Sequence, residues 1–133
     1  VDWKPEVAAF LDEPRFGVLA TINPDGSAHQ TVMWYRRDGG DIVMNTRKGR
    51  VKPNNLDRDP RASLCIEDGQ RYLTVSGRVE IDENRERGLE SMRVMTEHYE
   101  GAERAAELIR DEYANQHRIE LRLVPDAVDA HGF

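Results

Sequence analysis

A single cysteine, Cys65, stands in a chain of 133 residues. Its isolation excludes an intrachain disulfide and a thiolate metal cluster. Histidine is also scarce. His29, His98, His117 and His131 never recur at the spacing that puts two ligands on one helix face, so no metal is expected. Long apolar runs are missing: no stretch approaches the roughly 18–20 apolar residues that span a bilayer as a helix. The opening Val1-Asp2-Trp3-Lys4-Pro5 has neither the basic nor the apolar region of a signal peptide. A soluble, cytoplasmic protein is therefore expected. Basic residues are in deficit, with 19 Lys and Arg against 25 Asp and Glu and a net charge of -6. A general nucleic-acid binder needs the opposite balance to displace counterions from phosphates. Any anion site has to be local.

What is present suits one domain over residues 1–133, because a chain of this size has too little mass for two cores. Val7, Phe10 and Leu11 fall at helical spacing within Lys4 to Leu11, and Glu13-Pro14 ends that segment. The apolar, β-branched run Phe16 to Ile22 predicts a strand. Asn23-Pro24-Asp25-Gly26 predicts a turn into a second strand from Ala28 to Arg36. Asp38-Gly39-Gly40 then turns into Ile42 to Thr46, so the first three strands are expected as an antiparallel meander.

Further on, Arg50 to Leu56 predicts a short helix with Pro53 in its first turn. Strands are expected at Ala62 to Glu67 and Tyr72 to Ile81, the second carrying a bulge or bend at Gly77. Asp82 is the expected cap of a helix reaching Glu100, followed by a helix from Ala102 to Tyr113. A last strand, Arg118 to Val124, alternates Ile119, Leu121 and Leu123 with charged residues and is expected to stop at Pro125. Six mostly antiparallel strands with few helices predict a mainly β fold, a small barrel, since closure removes exposed edges. Cys65, amid Ser63-Leu64-Cys65-Ile66, reads as a small buried hydrophobe. Met92 and Met95 read as packing. Trp34 and Tyr35 alternate on their strand, so one can line a site while the other packs.

The most informative segment is Thr46-Arg47-Lys48-Gly49-Arg50-Val51-Lys52, with four cations in six residues where a strand gives way to a helix. Cations at a helix N-terminus oppose its dipole, costing about 0.3–1 kcal/mol each, unless an anion is bound. A phosphate reverses the sign, because backbone donors, guanidinium and ammonium converge on it and Gly49 admits the backbone closely. The bland alternative is a basic turn neutralised by Asp57, Asp59 and other surface carboxylates. A Walker loop is excluded, since GxxxxGK[ST] does not occur. No catalytic triad or carboxylate pair can be argued from spacing, so no catalytic residue is assigned.

Taken in order, Gly17-Val18-Leu19-Ala20-Thr21-Ile22, Asn23-Pro24-Asp25-Gly26, His29-Gln30-Thr31 to Trp34, Asp38-Gly39, Arg50-Val51-Lys52 with Asn55-Leu56, and Asp59-Pro60-Arg61-Ala62-Ser63-Leu64 carry a resemblance. The chain resembles the pyridoxamine 5'-phosphate oxidase-like proteins of the FMN-binding split-barrel superfamily, and within it the branch using the deazaflavin coenzyme F420. The likeness spans about Phe10 to Pro125. It implies a six-stranded antiparallel split β-barrel that forms a homodimer with cofactor sites at the subunit interface.

By that resemblance Arg50 and Lys52 hold the cofactor phosphate and Thr46 assists with its hydroxyl. Arg47 and Lys48 reach the phosphate or a polyglutamate tail. The backbone of Gln30, Thr31 and Val32 runs along the ring, Trp34 forms a wall, and Asn45 is a further ring candidate. Many relatives have Pro where Val32 stands. The C-terminal Asp129 to Phe133 is less typical, and His131 is expected in solvent. The implied activity is hydride transfer from reduced F420 to an unsaturated small-molecule acceptor, the cofactor carrying the chemistry. An FMN-dependent enzyme of the same fold and a non-catalytic F420 or flavin carrier stay open.

Overall fold

Side-chain alternation decides which way each strand faces, and it does so in a computed structural model that describes Val1–Phe133 throughout. The elements run α1 (Pro5–Asp12), β1 (Gly17–Ile22), β2 (Ala28–Met33), β3 (Arg36–Asp38), β4 (Asp41–Arg47), α2 (Val51–Arg58) and β5 (Arg61–Glu67). They continue through β6 (Tyr72–Asp82), α3 (Arg85–Glu100), α4 (Ala102–Asp111), a 3-10 turn (Tyr113–Asn115) and β7 (Arg118–His131). Every strand pair is antiparallel, in the order β2-β1-β5-β6-β7-β4-β3. Leu19, Met33, Met44, Leu64, Val75 and Leu121 share one cluster of 18 buried side chains. Strands from opposite ends of the order meet there, so the sheet curls around its core as a split barrel. The buried stripe Val7, Phe10 and Leu11 of α1 joins the same cluster.

The sheet has seven strands, where six were expected, because the predicted strand Ala28 to Arg36 breaks at Trp34 and Tyr35. There Tyr35 finds a side-chain partner in place of a ladder. The Tyr99 hydroxyl accepts from its N–H and lies against its carbonyl, at 2.9 Å in each case. The expected three-strand meander is broken as well: β2 pairs with β1 alone, and β4 pairs with β3 and β7.

Pro125 does not stop the last strand, which continues to His131 along β6. The pairing slips between Ser76 and Gly77, so the bend expected at Gly77 is present and Asp126 is the extra residue. A Cβ on Gly77 would collide with the Val124 carbonyl, which is why the crossing requires glycine. Cys65 is exposed, contrary to the buried reading. Its neighbours Leu64 and Ile66 take the inward positions, and alternation turns Cys65 outward.

The cap of α3 is Asn84, whose Oδ1 accepts from the Arg87 N–H at 2.9 Å. Asp82, the cap expected from the sequence, instead accepts from the Asn84 N–H and pairs with Arg87 at 2.7 Å. Helix α4 ends at Asp111, so Tyr113 falls in the 3-10 turn that leads the chain back to β7. No helix is long and apolar enough to cross a membrane.

Candidate functional site

The junction between β4 and α2 carries the basic run. Gly49 adopts φ +88°, a left-handed turn that brings Arg50 to the N-cap of α2. Arg50 makes no side-chain cap, and the first turn contains no acidic residue, so the helix dipole there meets only cations. Lys52, the second residue of α2, is buried at 9% exposure. Lys48 pairs with Glu83 at 3.6 Å. Arg47, Arg50 and Lys52 have no carboxylate within ion-pair distance. Asp59, one of the carboxylates considered as neutralising the run, is clamped instead by Arg61 through its Nε and Nη2, and its carboxyl is held down to about 2.

Other motif residues hold the helix in place. Asn55 donates to Thr21 Oγ1 and Asn23 Oδ1, each at 3.1 Å, and Arg58 donates to the Ile22 carbonyl. These bonds fasten α2 to the end of β1. They fix where Arg50 and Lys52 point.

A further cation joins the cluster that sequence reading did not single out. Arg118 opens β7 directly opposite Arg47 in the β4–β7 ladder. Its Nε donates to Asn45 Oδ1 at 2.9 Å, its Nη1 to Gln116 Oε1 at 3.0 Å, and its Nη2 lies 3.4 Å from Met92 Sδ. The guanidinium also lies 5.2 Å from the centre of the Tyr113 ring. Arg118 has no carboxylate partner. Its only advance signal was an arginine at a strand start, 66 positions beyond Lys52 in the numbering of the chain.

Asn45 is buried and fully engaged: its Nδ2 donates to the Gly88 carbonyl at 2.8 Å while its Oδ1 receives Arg118. Gly88 lets α3 approach β7, since a Cβ there would strike the Arg118 carbonyl. Asn45 therefore orients Arg118.

Beside this cluster opens a cleft of about 270 Å³. Phe16, Met33 and Trp34 form one side, and Met92 and Met95 of α3 form another. Asn45, Tyr113 and Arg118 supply its polar surface, and Val32 completes the rim. The two methionines thus pack, as expected, and line the cleft as well. Trp34 stacks on Tyr99 at 4.6 Å and 10°, and the Tyr99 hydroxyl is pinned to the backbone of Arg15 and Tyr35. That wall is fixed. Tyr35 is fully buried, so the expected division of labour between Trp34 and Tyr35 is present.

The remaining candidates lie on β2 and β4. Gln30, Thr31 and Val32 sit on β2, a sheet edge, where alternate backbone donors and acceptors face away from β1. Val32 is 63% exposed, and Thr31 Oγ1 is buried without a partner. Thr46 is buried opposite Ile119, on the core face of β4, while Arg47 next to it is exposed. The structure brings Val32, Trp34, Asn45 and Arg118 to one cleft. Arg50 and Lys52 belong to the adjoining junction.

Burial and the nearby cations Arg50 and Arg118 lower the Lys52 pKa. Burial also lowers that of Arg118, with Arg47 and Arg50 adding to the effect. Burial raises the Tyr113 hydroxyl. The cations thus disfavour one another's charge, a cost that a bound anion would offset.

Residues 3–132 match the family described as pyridoxamine 5'-phosphate oxidase. An F420H(2)-dependent biliverdin reductase from Mycobacterium tuberculosis is 30% identical over 79 residues, which span 58% of this chain and 58% of that protein. The crystal structure of the conserved hypothetical protein Rv2991 from Mycobacterium tuberculosis superposes with a TM-score of 0.83 at 34% identity, covering 98% of this chain and 84% of the other. A structure described as an F420 reductase superposes with a TM-score of 0.74 at 26% identity, covering 97% and 98%.

Proposed function

The chain belongs to the pyridoxamine 5'-phosphate oxidase family, and on that premise we propose that it is an F420-dependent oxidoreductase. It is a single cytoplasmic domain that passes a hydride from reduced deazaflavin to an unsaturated organic acceptor. One observation carries the reading. Arg47, Arg50 and Lys52 gather at the β4–α2 junction without a carboxylate, next to an apolar cleft that Arg118 lines. Uncompensated, partly buried cations are costly, and a bound phosphate or carboxylate offsets that cost. Relatives named for F420 chemistry support the choice of cofactor.

Arg50, Lys52 and the free N–H groups of the first turn of α2 would hold the phosphate. Arg47 and Lys48 would meet the anionic tail. The free edge of β2 at Gln30, Thr31 and Val32 would bond the rim of the ring, with Trp34 as a wall kept in place by Tyr99. Thr46 and Asn45 would act from behind, Asn45 by orienting Arg118. When bound, the deazaflavin supplies the hydride, and the chain supplies binding, orientation and exclusion of water. A homodimer would cover the outward face carrying Val18, Val32 and Cys65, which is exposed in the protomer.

Equilibrium titration with F420 and with FMN tests the cofactor. Tight FMN binding without F420 binding overturns it in favour of the second reading, an FMN-dependent enzyme, which the family match favours. Single-turnover oxidation of the reduced, bound cofactor by quinones, enones and tetrapyrroles distinguishes an enzyme from a carrier.

A further inference from the structure

Arg118 differs from the other cations of the cluster in where it sits. Arg47, Lys48 and Arg50 are exposed around the β4–α2 turn, whereas Arg118 lines the cleft with Trp34, Met92 and Tyr113. Asn45, Gln116 and Met92 hold its guanidinium from three directions, and N–H groups remain without a partner. An arginine fixed in the wall of an otherwise largely apolar cleft, with no carboxylate of its own, is arranged for a ligand that is planar and apolar over most of its area and carries one anionic group. A flexible hydrophilic tail does not match methionine and tryptophan walls.

We propose that Arg118 receives a carboxylate carried by a planar, conjugated acceptor, at a subsite separate from the phosphate pair Arg50 and Lys52. The proposal rests on the cleft being the acceptor side of the site put forward above. It names the substrate class as carboxylated conjugated molecules. Asn45 is a positioning residue in this scheme, since it touches the ligand only through Arg118.

The test compares 2-naphthoate with its neutral amide, 2-naphthamide, by calorimetric titration of the full chain. It uses the parent, Arg118→Gln, Arg118→Lys and the double variant Arg50→Ala/Lys52→Ala, and titrates F420 in parallel. The parent should prefer the carboxylate about ten- to a hundredfold. Arg118→Gln should abolish that preference while keeping F420 affinity within about threefold, the margin expected for a residue off the phosphate site. Arg118→Lys, which keeps the charge, should retain part of the preference and show that the site still folds. The double variant should lose F420 affinity and keep the preference.

An unchanged preference in Arg118→Gln overturns the proposal. So does a loss of F420 affinity in Arg118→Gln equal to that of the double variant, which would assign Arg118 to the cofactor tail. A parent that binds neither F420 nor FMN defeats the proposed function, and the carboxylate preference is still read independently.

Discussion

Arg47 and Arg118 stand directly opposite each other in the β4–β7 ladder, two cations paired across strands with no carboxylate between them. Like charges in that position destabilise a sheet by about 0.2–1 kcal/mol. An anion bridging them stabilises the native state in proportion to its occupancy. Phosphate or sulfate at about a hundred times its dissociation constant should contribute roughly 2.7 kcal/mol, raising Tm by several degrees. Sodium chloride at equal ionic strength should not. Calorimetric melting in the two salts checks this, and equal shifts would mean that the cluster does not select anions.

Removal of the Arg50 or Lys52 head group should weaken cofactor binding by about 1.5–3 kcal/mol, the range for a hydrogen bond to a charged group. The fold should persist, because neither head group is bonded within the protein. Titration of Arg50→Ala and Lys52→Ala against the parent, with far-UV circular dichroism as the control, decides the point.

Lys52 gives a pH signature whose sign follows from its lowered pKa. Between that lowered value and the ordinary 10.5, the unfolded chain holds a proton that the folded, ligand-free chain has released. Stability of the free protein therefore rises with pH through that window. Anion binding favours the charged ammonium, so sulfate affinity should fall with pH over the same range, earlier than for an exposed lysine. Tyr35 and Tyr99 have raised pKa values and act in the opposite sense at higher pH. The difference between the parent and Lys52→Met isolates the lysine.

The outward face of β1 and β5 offers a chemical reporter. Cys65 stands beside Val18 in the ladder, and both are exposed in the protomer. If a homodimer covers this face, the Cys65 thiol should resist Ellman's reagent in the native protein and react once subunits separate on dilution. Val18→Asp should yield a monomer with a fully reactive thiol. Rapid stoichiometric labelling of the native parent would place the interface elsewhere.

How much of this was legible beforehand depended on the range of the interaction. Local signals were readable: Gly26 and Gly39 take positive φ in the turns that their sequences announced, and the run Arg47 to Lys52 stood out as a block. Long-range partners were not. The break at Tyr35 depends on Tyr99, 64 residues away, and Arg118 enters the cluster only through the β4–β7 pairing. Pro125 was read as a stop because a missing N–H ends a regular ladder, yet opposite the bulge at Gly77 the strand tolerates it. Cys65 is different, since the inward Leu64 and Ile66 already carried the information that it faces out.

Tyr99 joins three segments through one hydroxyl, which contacts the Arg15 carbonyl at 2.7 Å and both backbone groups of Tyr35 at 2.9 Å. Tyr99→Phe should cost about 1–3 kcal/mol, the price of leaving buried backbone groups unpaired. It should also broaden the Trp34 emission, since the indole loses a fixed stacking partner. Chemical denaturation and steady-state fluorescence measure the two effects.

The supernumerary Asp126 resets the phase of β7. Before it, odd-numbered Ile119, Leu121 and Leu123 face the interior; after it, even-numbered Val128 and Ala130 stand against Val75 and Leu73. Continued from Pro125 as a regular ladder with no residue bulged out, β7 would bring Asp129 alongside Leu73 and invert the rest of the strand. Two half-strands of opposite parity are thus spliced into a single element, and the splice allows one continuous chain to serve both lobes of the barrel.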